Sequence, residues 1–336
     1  MRWIKGSIFA TALRLISLIT TCTAMAAPAP AFALESPAAA GPIGGTDVRS
    51  GLLPPPGLFF GFAVLGAATT DFVGPNGETN PAFRDAHLSL ADPIAGPFVY
   101  YVPTLKVLGG GIGVYATVPA GNVCGHLFLQ EADDCSQGIG DPYVEIDWAR
   151  FFGRIHPSRG GNAFPIAQGL GVLVGFGTLF PTGTYDPSTL LTQALSIGHN
   201  IWDFAPSVAV TYTTPPILAD GTEVSGKLFW NNYLENPKTH YLTGDLLNLD
   251  FAVTEHIGRF QVGATGFYAF QVEDDKLFGV SVPPDGRRGE VLQLGGIVSY
   301  EMPAQAASMK LKALDSVFAT NTTKFWEVVY ALGKKF

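Results

Sequence analysis

From Gly57 to Phe336 the chain repeats one pattern: runs in which apolar residues alternate with small or polar ones, separated by Gly, Pro, Asn and Asp. A period of two sends successive side chains to opposite faces of a strand, so each run has one greasy face that needs cover. The final run, Thr322 to Phe336, is the most restrictive. Its even positions Trp326, Val328, Tyr330, Leu332 and Phe336 are apolar, with Lys334 out of pattern. Its odd positions Glu327, Ala331, Gly333 and Lys335 are small or charged, with Val329 the exception. A strand whose apolar face is aromatic at both ends and which stops on Phe predicts the closing strand of an outer-membrane type of barrel, where aromatic girdles mark the two lipid-water boundaries.

Eleven earlier runs share the pattern, at about 57–67, 97–108, 111–118, 139–151, 167–180, 201–213, 222–234, 241–254, 260–272, 289–301 and 305–315. The face opposite the greasy one is rich in Gly, Ser, Thr and Gln, which suits a polar lumen better than the charged exterior of a sandwich. Short gaps at 109–110, 214–221, 255–259 and 302–304 alternate with long ones at 68–96, 119–138, 181–200 and 273–288, and the gap 152–166 breaks the scheme. Short turns on one side and long loops on the other predict an even strand count with both ends of the wall in the periplasm. The expected fold is all-β, an antiparallel transmembrane β-barrel of the outer-membrane type with about 12 strands over residues 57–336. With 40 Gly and 25 Pro the chain is no helical protein, and nothing after residue 33 offers the roughly 18 apolar residues a membrane helix needs.

Residues 1–33 read as a secretory signal peptide, with Arg2, Lys5 and Arg14 before an apolar stretch and small residues at two cleavage points, after Ala26 or after Ala33. Its removal takes away three basic residues and no acidic ones, which deepens a formal net charge of −8 and argues against nucleic acid as a partner. Residues 34–56, rich in Pro, Gly and Ala, read as a flexible lead-in to the barrel. Two cysteines of the exported part, Cys124 and Cys135, are expected to pair as a disulfide in an outward-facing loop.

The six His, at 87, 126, 156, 199, 240 and 256, are not spaced as metal ligands on one face, and no cofactor or metal is expected. Neither Ser196 near His199 nor Ser225 beside Gly226 has the spacing of a hydrolytic nucleophile, so no catalytic residues are assigned. What stands out is charge on the inward face. Glu145, Asp147, Asp203, Glu223, Asp250 and Glu301 share it with Lys227, Lys310, Lys312 and Lys335. Such groups imply a wet lumen or a densely paired one. The expected pore lining is Glu145, Asp147, Asp203, Lys227, Gln261, Gln271, Gln293, Lys310 and Lys312.

The runs Gly138–Trp148, Leu179–Tyr185, Ile197–Ser207, Tyr241–Asp245 and Val262–Gln271 resemble the outer-membrane transporters named for the meta-pathway of phenol degradation. The resemblance extends over roughly 57–336 and brings no catalytic or binding residues. It implies a channel in the bacterial outer membrane, in contact with lipid, for passive uptake of small hydrophobic or aromatic, phenol-like solutes. A sealed structural or adhesive barrel and a lipid-modifying barrel enzyme are the alternatives. The sequence does not give the oligomeric state.

Overall fold

The structure, a computed structural model, describes residues 40–127, 132–157 and 164–336. The expected signal peptide, 1–33, and the first residues of the lead-in lie outside the described set. The wall strands are β1 (Gly57–Phe72), β2 (His87–Val102), β3 (Gly110–Thr117), β4 (Tyr143–His156), β5 (Ile166–Leu179) and β6 (Asp203–Thr213). They continue as β7 (Gly221–Tyr233), β8 (Leu246–Ile257), β9 (Phe260–Gln271), β10 (Glu290–Met302), β11 (Ala307–Thr320) and β12 (Thr323–Lys335). Each pairs antiparallel with its neighbours in sequence, and β12 pairs with β1, from Phe59 opposite Lys335 to Phe72 opposite Thr323, so the sheet closes on itself. Closure leaves no unpaired wall edge, which is the condition for strands to cross a lipid bilayer.

The alternation read from the sequence is the in-out alternation of this wall. On β4, Ile146 is 58% exposed while its neighbours Glu145 and Asp147 are 5% and 4% exposed. That inversion of the soluble rule recurs at Phe60, Phe176, Val208, Trp230, Val253 and Trp326, all on the outside. Such a surface is a liability in water and a favourable one in hydrocarbon.

The strands run longer than their patterns. β2 begins at His87 because its register shifts between Ser89 and Ala95 absorb the stretch around Pro93 that hides the alternation. β4 reaches His156, which shrinks the anomalous fourth gap. Beyond Val118-Pro119 the third strand continues as a hairpin, Ala120–His126 with Asp134–Ile139, whose first arm pairs with the upper part of β2. Cys124 and Cys135 face each other on its two arms and are bonded. Helix α1 (Leu190–Leu195), capped by Thr189, lays Leu191, Ala194 and Leu195 against Phe72, Phe83 and Leu127 on the same long-loop end.

The largest departure concerns the lead-in. Its described part, from Ala40, is not a free linker: it belongs to the same compact unit as the wall and lies inside the barrel. The reason is that the wall offers it a column of inward hydrogen-bonding groups, which composition alone does not reveal.

Candidate functional site: the barrel lumen

Residues 40–53 form a strap that descends the lumen from the long-loop end to the short-turn end. A chain inside a barrel must place its backbone donors somewhere. Here the inward side chains of β6 to β11 take them. At the top, Tyr233 donates to the Ala40 carbonyl at 2.7 Å, and Asn248 to that of Pro42 at 3.2 Å. Midway, Asp250 accepts from the Gly44 amide at 2.9 Å and from the Thr46 amide and hydroxyl at 2.8 Å each. Asp47 pairs with Lys310 at 2.6 Å, with Lys312 at 3.8 Å, and Lys312 also donates to the Gly44 carbonyl. Lower down, the Arg49 amide donates to Glu223 at 2.8 Å and its guanidinium meets Glu301 at 2.5 Å. Ser50 and Gly51 bond Ser225 and Thr211.

Close approach at the foot of the strap depends on two glycines. A Cβ on Gly51 would sit 2.6 Å from the Thr211 amide nitrogen and 2.7 Å from the Gly171 carbonyl, and one on Gly171 would meet Leu52 at 2.3 Å. The glycines on the inner face of β5 are therefore room for what lies inside the barrel. Gly175 does the same for the acid pair, since its Cβ would fall 2.5 Å from Glu145 and 2.6 Å from Asp147.

Of the expected lining residues, eight turn into the lumen. Glu145 accepts from Lys227 at 2.7 Å and from Ser207 at 2.9 Å, while Asp147 accepts from Tyr100 at 2.8 Å and lies 3.7 Å from Lys227. Asp203 stands against Gly41, whose positive φ of 101° keeps a side chain out of that contact. Lys310 and Lys312 hold the strap, Gln261 bonds Thr254, and Gln293 reaches Ser316 and the Phe325 carbonyl. Between a wet lumen and a paired one, the lysines and their carboxylates take the paired arrangement. Gln271 is different. It caps β9 within the loops, bonding Asp275, Gly244 and Gly289. Ser225, the nearest residue in sequence to a candidate nucleophile, bonds the strap, and Ser196 bonds Thr192 and Asp186.

The inner wall also carries aromatics that sequence reading did not single out. Phe98 and Tyr100 on β2, Tyr115 on β3 and Tyr143 on β4 form a slab, with Tyr115 at 6.1, 5.9 and 6.5 Å from the other three rings. Pairing of β2, β3 and β4 sets these rings side by side. Phe98, Tyr100 and Tyr115 are half-buried, unlike the sealed polar groups. Higher up, Phe229, Tyr233, Phe267 and Leu314 pack in one buried apolar cluster with Ala40 and Ile43, which Tyr143 of the slab also joins.

A family model described as "Putative MetA-pathway of phenol degradation" matches residues 94–332, from within β2 to within β12. The chain belongs to this family. Among solved structures, this member of the phenol-degradation family is similar to the COG4313 outer membrane channel of Pseudomonas putida F1, at 14% identity over 87% of this chain and all of that one, with a TM-score of 0.66. Weaker likenesses are to the β domain of the Bordetella autotransporter BrkA, at 10% identity over 84% of this chain and all of that one with a TM-score of 0.44, and to the toluene transporter TodX of Pseudomonas putida, at 11% over 84% and 91% with 0.42. No curated protein matches by sequence.

Several of the runs that carry the resemblance to the phenol-degradation family meet in the long loops. Asp141 accepts from the amides of Gly183 at 2.7 Å and His199 at 2.6 Å, Gly198 donates to Thr184, and Asn236 joins Asn200 to Tyr185. The Tyr241–Asp245 run does likewise through Asp275, which accepts from Tyr241 at 2.5 Å and Gly244 at 2.8 Å. Burial of Asp275 outweighs these donors and pushes its carboxyl up to about 7. An acid raised in the folded state favours the folded loops fully below its ordinary value of 3.8, and that advantage fades as pH rises toward 7. Amide exchange in 241–245 and 272–289 is expected to quicken over that window beyond its intrinsic rise, and Asp275→Asn to flatten the excess.

Proposed function

We propose that this chain is an outer-membrane channel for passive uptake of small hydrophobic or aromatic compounds of phenol-like size. The aromatic slab on β2 to β4 carries the reading. It is half-open within the lumen, on the wall away from the polar column that fastens the strap. Stacked and edge-on rings bind flat apolar molecules by area and quadrupole, whereas an ion pore would place charges along its path. The slab runs on through Tyr143 into the apolar cluster around Ala40 and Ile43, where a solute would compete with the strap.

The mature chain refolded in a planar bilayer should show openings whose noise or block depends on added phenol. Tyr115→Ala should weaken that dependence severalfold while leaving the unboiled detergent gel band of the closed barrel in place. The paired lumen charges favour a second reading, a sealed structural barrel. A folded barrel that stays silent with and without phenol would support it over the channel.

A further inference from the structure

Pairing β2 with the disulfide-bonded hairpin brings His87 to two side chains of the hairpin, His126 and Asp133. His87 stands opposite His126 in the strand register, with ring centroids 4.3 Å apart. Asp133, immediately before the other arm and two residues from Cys135, sends one oxygen to each: Oδ1 lies 2.7 Å from His126 Nδ1 and Oδ2 lies 3.6 Å from His87 Nε2. One ligand atom from each of the three falls within 4.8 Å of the others. We propose that His87, His126 and Asp133 form a binding site for a divalent transition-metal ion of the zinc type at the long-loop rim of the barrel.

The chemistry selects the ion. Two imidazoles and one carboxylate suit Zn²⁺, Cu²⁺ or Ni²⁺, whereas Mg²⁺ and Ca²⁺ ask for oxygen shells. Zinc holds imidazole nitrogen at about 2.0–2.1 Å and carboxylate oxygen at about 2.0–2.2 Å, so ligand atoms around one tetrahedral ion sit roughly 3.3 Å apart. One ligand atom from each residue lies within 4.8 Å of the others, so closing on an ion requires the three to draw together by about 1.5 Å at most. Three protein ligands leave a position for water, and the side chains of His87 and Asp133 are open enough to admit it, at 46% and 67% exposure. The disulfide restrains both arms next to the site, so little ordering is left for the metal to impose.

Titration calorimetry of the untagged full chain in detergent with ZnCl₂ should show one ion bound per barrel, and MgCl₂ should give no binding heat. His126→Ala and Asp133→Asn should each weaken zinc binding by at least the roughly 10-fold known for loss of a ligand's outer partner. Both variants should keep the gel shift between boiled and unboiled samples. On the unaltered chain, zinc-edge X-ray absorption should show imidazole scattering. Zinc affinity unchanged in His126→Ala, no zinc heat from a folded barrel, or an oxygen-only shell would each overturn the site.

Discussion

Deleting residues 40–53 is expected to raise single-channel conductance severalfold, because the strap runs the height of the lumen between the polar column and the opposite wall. An interior of this strand number lies between the side-chain-filled barrels of about 8 strands and the open channels of about 16 to 18. A single extended chain is thus a large fraction of its cross-section. A gentler variant, Gly51→Val, keeps every residue of the strap and sets a branched side chain against the Thr211 amide and the Gly171 carbonyl, where even a Cβ would stand under 3 Å from both. It should displace the foot of the strap and give frequent, short openings. If both variants folded and conducted like the parent, the strap would not lie on the solute's path.

The second large effect belongs to Lys227. Its ammonium is the cation facing both Glu145 and Asp147, and all three are buried. Removing one partner of a buried ion pair leaves an uncompensated charge and costs about 3–5 kcal/mol. Lys227→Met should therefore lower the unfolding free energy of the refolded barrel, read from denaturant titration, by about that amount. The triple variant with Glu145→Gln and Asp147→Asn should recover most of it, since the stranded acids are gone. A single variant within about 1 kcal/mol of the parent would show these charges to be as well hydrated as a surface pair. Replacing Asp147 alone leaves Lys227 paired with Glu145 and should cost less.

The wall was readable because its code is local. On β9, Phe260, Val262, Tyr268 and Phe270 alternate with Gln261, Thr265 and Gln271, and no distant contact is needed to see the period of two. The beginning of β2 was hidden because Pro93 and Gly96 interrupt that period, and the neighbouring strands compensate by register shifts. The strap was misread for a different reason. Its own sequence, Pro and Gly around Thr46, Asp47, Arg49 and Ser50, carries no period, since its order comes from acceptors on other strands. That short polar stretch amid small residues was the available signal, matched by Lys310, Lys312, Glu223 and Glu301 on inward faces. The period of two marks those charges as inward, whereas the segment that meets them reads as a linker. The aromatic slab and the histidine pair share one cause of invisibility, in that each exists only once separate strands are placed side by side.

The strap's fastening has a mechanical consequence. It runs along the barrel axis and passes at its foot, through Pro54 to Pro56, into β1. A tug from the short-turn side would load Asp47, Arg49, Ser50 and their fellows in shear, all together, and would be resisted by their sum. A push across the lumen would instead peel the same contacts one after another. The same set of bonds is thus stiff along the barrel axis and yielding across it.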